Sequence, residues 1–328
     1  MKILAFGEIM MRMNPSEYKK ISQTDQMNFS FTGSGLNVLS GLAQSGHETT
    51  TLTVLPDNNL GRAAAGSIRK LGVSDHNIIF DGNHMGIYIL EMGFGSRPSE
   101  VTYLNRSMSS FNNFVLEEQV LKQALTGVDI VHVCGIALST STVSRVNALN
   151  LAKLAAEKGI KVCFDFNFRS SLNEKTDLSD LVKAYQQILQ SASIAFGSLR
   201  DLTDLLKITG EGEEQIVAAF MKTYAIDIFA GTYRKERKNE KILQGFMYSD
   251  GEKVVSEEVV YEVLDRIGGG DAYVSGILMG LGEEWSESLT VNFATNYAAL
   301  AHTTMGDSPV LSKELVLNHM EHKVDVIR

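Results

Sequence analysis

Asp265-Arg266-Ile267-Gly268-Gly269-Gly270-Asp271 opens the apolar run Ala272-Tyr273-Val274-Ser275-Gly276-Ile277-Leu278-Met279-Gly280-Leu281. Three consecutive glycines ahead of a long apolar segment predict a tight loop entering a buried helix, with backbone N–H groups unobstructed at its first turn. Such a helix start attracts anions, because free donors and the positive end of the helix dipole both favour a phosphate or a developing phosphoryl charge. Asp271 falls within that turn, and its reference pKa of ~3.9 leaves it ionised at neutral pH. A carboxylate beside a bound phosphate can accept a proton from a hydroxyl. The plainer reading is a Gly-rich turn with an Asp cap. The second carboxylate, Asp265, just ahead of the loop, and the α/β body in front of both favour the chemical one.

Working outward, the chain of 328 residues fits one large α/β domain carrying insertions. An apolar fraction of 44% and a mean hydropathy near zero indicate a globular protein with a large core. The net charge of −9 argues against a nucleic-acid or anionic-membrane surface, since those partners need a basic face. Cys134 and Cys163 each sit in a strand-like apolar run and read as small core hydrophobes, with no disulfide framework or metal cluster. The first residues form a short strand lacking the apolar region of a signal peptide. Nowhere is there an uncharged apolar run of ~20 residues, so a cytoplasmic location without membrane contact is expected.

Residues 2–7 read as a buried parallel strand whose end, Gly7-Glu8, meets a site. Residues 12–32 are polar and lack helical periodicity, an insertion of short strands turning at Asn14-Pro15. Thr32-Gly33-Ser34-Gly35-Leu36-Asn37 is a second Gly-rich helix start, followed by Val38, Leu39, Leu42 and Ala43 at helical spacing. As a dinucleotide fingerprint it lacks a third small residue at Val38, and no Walker-type phosphate loop occurs in the chain. From 48 to 159, strands at 49–55 and 128–134 alternate with helices at 58–71 and 143–158, the pattern of a parallel sheet. Between them, 86–91 and 101–106 alternate with period two and predict a hairpin across 93–99. With 12–32, the segment 84–108 would build a small β lid presenting Tyr88, Tyr103 and Arg106 to a substrate.

Residues 161–164 are a further strand running into Asp165-Phe166-Asn167-Phe168-Arg169. Alternate polar positions put Asp165, Asn167 and Arg169 on one side at the carboxyl end of a parallel strand, where α/β sheets bind ligands. A guanidinium there suits a carboxylate through bidentate pairing. Strand 193–197 precedes Ser198-Leu199-Arg200-Asp201, and strand 226–231 ends at Gly231 before the charged run 233–241, which reads as a solvated hairpin. Strands near 241–248 and 252–260 lead back to the glycine loop. Beyond its helix, 285–304 is another helix, 303–307 a turn, and 311–322 an amphipathic segment whose His319 and His322 read as surface residues.

The glycine loop resembles the D-x-x-G-A-G-D-A-F signature of the ribokinase-like PfkB carbohydrate kinases, as Asp265, Gly268, Gly269, Gly270, Asp271, Ala272 and Tyr273. Gly269 stands where Ala is usual and Tyr273 where Phe is usual. The resemblance implies that Asp271 is the general base and that the amides of Gly268, Gly269 and Gly270 form an anion hole. Thr32 to Asn37 resembles the family's sugar-contacting G-G-x-x-x-N motif, with Gly33 and Asn37 matching and Thr32 replacing its first Gly. Asp165, Asn167 and Arg169 resemble a D-x-N-x-R whose Arg contacts a sugar-acid carboxylate. Relative to the 2-keto-3-deoxygluconate kinases of the family, Tyr88 and Tyr103 match substrate-associated tyrosines. The usual Arg position falls at Asn105, and Arg106 comes one residue later; in a strand that shift turns the side chain to the other face.

The resemblance covers nearly the whole chain and implies a three-layer α/β/α ribokinase-like fold, with a mostly parallel sheet and a small β lid. It implies ATP-dependent phosphorylation of a sugar or sugar-acid hydroxyl, with Glu8 on the substrate side. Ser198, Gly231, Arg234 and the loop glycines would meet the nucleotide phosphates, and Asn296 and Ala299 the adenine. Asp201, standing in for the Glu of a family N-x-x-E, would act indirectly on Mg²⁺, and a monovalent cation is a candidate further cofactor. Another sugar kinase of the family, such as a fructokinase, and a binding regulator without catalysis are the alternative readings. The unpaired edges of a lid predict a homodimer through it.

Overall fold

The structure, a computed structural model, describes residues 1–169 and 178–321. Seven parallel strands carry the large sheet: β1 (Lys2–Phe6), β4 (Glu48–Leu55), β5 (Ile78–Phe80), β8 (Ile130–Cys134), β9 (Lys161–Asp165), β10 (Ile194–Phe196) and β11 (Ile228–Arg237). Antiparallel β12 (Glu240–Ser249), β13 (Glu252–Val255) and β14 (Val259–Tyr261) extend one edge. A separate four-stranded sheet holds β2 (Met10–Pro15), β3 (Met27–Thr32), β6 (Ile87–Glu91) and β7 (Glu100–Leu104), in the order β3-β2-β6-β7. Its strands fall within residues 10–32 and 87–104.

β1 shows why the sheet is buried on both faces. Leu4 and Phe6 enter one core, and Ile3 and Ala5 enter the other, as period-two alternation requires. Helices Thr142–Glu157, Leu178–Leu189 and Glu213–Tyr224 cover the first face; Ser34–Ala43, Asn59–Lys70, Gly269–Gly282 and Glu287–Ala301 cover the second. Burial of each large apolar side chain, such as Phe164, Phe229 or Phe293, contributes roughly 1.5–3 kcal/mol. Cys134 and Cys163 are both free and buried, as read.

The topology fixes where a ligand can bind. β1 lies centrally, with β4 and β5 on one side and β8, β9 and β10 on the other, so the chain reverses its winding direction at β1. Ligands of doubly wound sheets sit beyond the carboxyl ends of strands at such a switch point. Here those ends carry Gly7-Glu8, Cys134 and Asp165. The helix Ser34–Ala43 begins beside them and packs on Gly269–Gly282, which brings the two Gly-rich helix starts together.

The charged run at 233–241 forms the β11–β12 hairpin, turning at Lys238-Asn239, both with positive φ. Glu213 at the start of its helix anchors it, accepting from Tyr233, from Tyr248 Oη (2.8 Å) and from Lys253 Nζ (2.8 Å).

Candidate active site

A cavity of about 910 Å³ opens above the carboxyl ends of the parallel strands, between the glycine loop and the small sheet. Asp271 lies in its wall, buried in the first turn of helix Gly269–Gly282. Two donors from the other Gly-rich helix start hold its carboxylate. Ser34 Oγ donates to Oδ1 at 2.6 Å and Asn37 Nδ2 to Oδ2 at 2.7 Å. Burial pushes the Asp271 carboxyl up to about 6, against the downward pull of those two bonds and of Arg169. The group is thus ionised near neutrality but far more basic than an exposed Asp.

Gly268 supplies the turn that exposes the loop amides. Its φ of 88° is left-handed, and a Cβ there would overlap the backbone carbonyl of Asp307. Gly270 borders the cavity with open space where a Cβ would be. Gly269 differs: it is buried outside the cavity wall, and a Cβ would overlap the His302 imidazole. The Gly in place of the more usual Ala is therefore not a neutral exchange. It makes room for His302, whose ring nitrogen Nδ1 lies 2.6 Å from the Ala298 carbonyl and whose basicity burial lowers.

Asp265, read as a second carboxylate of the site, is not in the cavity wall. It is buried beneath the loop, where it accepts from Arg12 Nη2 at 2.6 Å, Ile267 N at 3.1 Å and Gly306 N at 3.3 Å. Arg12 comes from β2 of the small sheet and is 2% exposed, held between Asp265 and Asp307. Burial alone would lower its affinity for a proton, but the two carboxylates outweigh that and raise it. Asp307 also accepts from Tyr88 of β6 and from Thr32 Oγ1 of β3 at 2.9 Å. One carboxylate thus ties three strands of the small sheet to the glycine loop.

Both oxygens of Glu8, another lining residue, are taken. Arg106 Nε donates to Oε2 at 2.7 Å; Ser109 Oγ and Asn112 Nδ2 donate to Oε1 at 2.8 and 3.2 Å. The alternation argument left the facing of Arg106 open, and the backbone decides it. β7 ends at Leu104, Asn105 takes a left-handed φ of 50°, and a short 3₁₀ turn over Arg106–Met108 swings Arg106 into the cavity wall while Asn105 stays exposed. Tyr103 also lines the cavity, with the Arg106 guanidinium 5.2 Å from its ring centre.

Asp165, Asn167 and Arg169 share the cavity wall, as expected, by a different geometry. The strand stops at Asp165, and Asn167 (φ 37°) folds back so that its N–H reaches Asp165 Oδ1 at 3.2 Å. Arg169 Nε then donates to Asn167 Oδ1 at 3.1 Å. Burial, with the negative charges of Asp271 and Asp201, pushes the Asp165 carboxyl up to about 7.

At the far end, Gly231, Arg234, Arg266 and Arg200 border the cavity with Ser198 and Asp201. Asp201 Oδ2 accepts from both the backbone N and the Oγ of Ser198, each at 2.7 Å, and a π-helical turn rather than an α-helix follows it. Asn296 and Ala299 are buried in helix Glu287–Ala301, outside the cavity wall. His319 corrects the surface assignment: it is half-buried, with Nδ1 2.8 Å from Asn296 Oδ1, while His322 lies outside the described residues. Arg12, Ser34, His302 and Asp307 were not singled out by sequence reasoning, and Thr32 was read only as the replacement of a motif Gly. Only Thr32 and Ser34 carried a signal, their place in the Gly-rich motif.

A parallel sheet with a Gly-rich helix start, a buried carboxylate beside it and a cavity of about 910 Å³ define a site suited to phosphoryl transfer onto a small hydroxyl compound. Residues 1–314 match the pfkB family carbohydrate kinases, and the chain belongs to that family. A 2-dehydro-3-deoxygalactonokinase of Haloferax volcanii is 27% identical over 96% of this chain and 95% of its own length. Among solved structures, a provisionally named 2-keto-3-deoxygluconate kinase from Enterococcus faecalis is 42% identical with a TM-score of 0.95, covering 100% of this chain and 98% of its own. The 2-dehydro-3-deoxygluconokinase of Thermotoga maritima is 29% identical with a TM-score of 0.90, covering 98% of each chain.

Proposed function

We propose that the chain transfers the γ-phosphoryl group of ATP to the 6-hydroxyl of 2-keto-3-deoxygluconate, giving its 6-phosphate. The observation that carries this reading is the junction at Asp271, where a buried, donor-held carboxylate meets a helix start stripped of side chains. Asp271 takes the proton of the attacking hydroxyl, a step worth typically 10²- to 10⁴-fold, while the loop amides at Gly268 to Gly270 receive the charge of the transferred group.

Preference for an acid rests on Arg106 and Arg169, which line the same cavity, with Tyr88 and Tyr103 of the small sheet. Glu8, which accepts from Arg106, Ser109 and Asn112, works by orienting Arg106. Gly33, Asn37, Asp165 and Asn167 frame the acceptor. Ser198, Gly231 and Arg234 meet the triphosphate, and Asn296 and Ala299 support the adenine side from within their helix.

Among the described residues no three His, Cys, Asp or Glu side chains converge to hold a metal. That suits Mg²⁺, which keeps most of its waters and binds through one or two carboxylates and the substrate's phosphates. Asp201 is the carboxylate for that water-mediated role, and Mg²⁺ would neutralise phosphate charge there.

The whole chain works as one kinase domain in the cytoplasm, with the small sheet as its lid. Every residue of β7 is exposed, and Phe29 of β3 is 62% exposed, so a second copy covering the lid forms the dimer. An assay of ADP release across 2-keto-3-deoxygluconate, 2-keto-3-deoxygalactonate, 5-keto-2-deoxygluconate, fructose and ribose tests the reading, run with K⁺ and with tetramethylammonium to register any monovalent activator. A sugar acid should give the highest kcat/KM. Equal or better turnover of a neutral sugar overturns the acceptor class, and binding without ADP release overturns catalysis.

A further inference from the structure

Asn37 donates to the base only because its amide faces one way. Rotated by half a turn, it would present Oδ1 to the Asp271 carboxylate and repel it. The amide is buried, so what surrounds its oxygen decides the orientation. Two hydroxyls do: Thr32 Oγ1 at 3.1 Å and Ser308 Oγ at 3.0 Å. They are not equivalent. Thr32 has one proton and two acceptors, and the second, the Asp307 carboxylate, is both charged and closer, at 2.9 Å. A charged acceptor wins a shared proton. Thr32 is therefore committed to Asp307, and Ser308 is the donor left for Asn37 Oδ1.

We propose that the Asp307-Ser308 dipeptide is a positioning element for the transfer reaction: Ser308 holds the Asn37 amide with its donor toward Asp271, and Asp307 holds the lid against the same point. The inference rests on the reading of Asp271 as the base. Neither residue touches the reacting atoms. Asp307 collects Arg12, Thr32 and Tyr88, one from each of three lid strands, while its backbone carbonyl packs against Gly268 at the loop turn. Ser308, the next residue, reaches into the motif that grips the base. Seating of the lid and orientation of the base's donor are thus set by two adjacent residues.

Asp271 faces charged or titratable groups from several elements. Asp165 and Arg169 approach from the end of β9, Cys134 from the end of β8, and Asp307 from the loop after helix Glu287–Ala301. Removing Ser308 Oγ changes none of these charges and takes away only the bond that orients Asn37. Its effect on Asp271 is then one of donor geometry, and its sign follows. The ionised carboxylate needs the N–H of Asn37 and the protonated carboxyl does not, so loss of that orientation moves the base toward higher pH.

The test is Ser308→Ala, with Ser308→Thr as the hydroxyl-restoring control. The Asp271 carboxyl is titrated by ¹³C NMR, assigned with Asp271→Asn, and the acid limb of kcat/KM is followed on the sugar acid. Both should move up by about 0.5–1 pH unit in Ser308→Ala and return in Ser308→Thr. An NMR titration that superimposes on the parent, or moves down, overturns the inference. So does a fall in kcat with the limb unmoved, because a merely structural role predicts that result. An NMR shift in a protein that transfers no phosphate would uphold the orientation of Asn37 and defeat the kinase reading instead. Should Ser308→Ala not fold, Ser308→Cys, close in size and a weaker donor, gives the same direction with a smaller shift.

Discussion

Replacing Arg12 by Met keeps much of the side-chain volume and removes the charge that lies between Asp265 and Asp307. Both carboxylates stay where they are, 2% and 4% exposed in their side chains, with no cation to compensate them. Breaking a buried ion pair by removing one partner costs about 3–5 kcal/mol, most of it the penalty of the uncompensated charge left behind. Unfolding entropy of about 2 cal/mol/K per residue over 328 residues is roughly 0.7 kcal/mol/K, so Tm should fall by about 4–7 °C. Thermal unfolding followed by circular dichroism at pH 8 measures it. A second variant separates charge from packing: Arg12→Met with Asp307→Asn removes one orphaned charge, so the double mutant should lose less than the sum of the two single losses. Because Arg12 also joins the small sheet to the glycine loop, KM for the sugar acid should rise in the same protein. A Tm within a degree of the parent would refute the reasoning, for it would mean that the two carboxylates do not need the guanidinium.

Two further outcomes follow from the glycine loop and from the cavity wall. Gly269→Ala puts a methyl group into the His302 ring and should cost about 1–3 kcal/mol of stability by overpacking, with the loss largely recovered in Gly269→Ala/His302→Ala; unfolding midpoints in urea check both. Glu8→Gln removes the charge that aims Arg106 through its Nε and should raise KM for the acidic acceptor by about 10-fold, while the ATP KM stays put; equal effects on both substrates would contradict the assignment.

The parts of the site that were legible in the sequence are those whose chemistry is local. Three glycines before an apolar run can only be a tight turn into a buried helix, and Asp271 is placed by that fact alone. The βαβ alternation likewise made the parallel sheet readable, and with it the carboxyl ends where Glu8 and Asp165 sit. What stayed hidden depends on contacts between distant segments. Residues 12, 265 and 307 are neighbours only after the small sheet has docked, and before that Arg12 is one polar residue in a polar insertion. Asp307 looked like part of a turn because nothing within a few residues of it predicts three donors arriving from another sheet. Which way Arg106 faces was not legible, for a backbone reason. The alternation argument holds inside a strand, and a left-handed Asn105 ends the strand one residue too early for it to apply. Gly269 shows the same limit from the other side, since the motif explains a small residue there but not why this chain needs none of alanine's methyl.

The account turns on Asp271 as the proton acceptor, and a single-turnover measurement on Asp271→Asn tests it most directly. With ATP and 2-keto-3-deoxygluconate both bound, the asparagine should keep the cavity's shape and accept from Asn37 through its oxygen, with the Ser34 hydroxyl turning to accept from its NH₂, yet slow transfer by about 10²- to 10⁴-fold, with little change in the affinity for either substrate. Transfer within about threefold of the parent rate, against that expected loss, would contradict it.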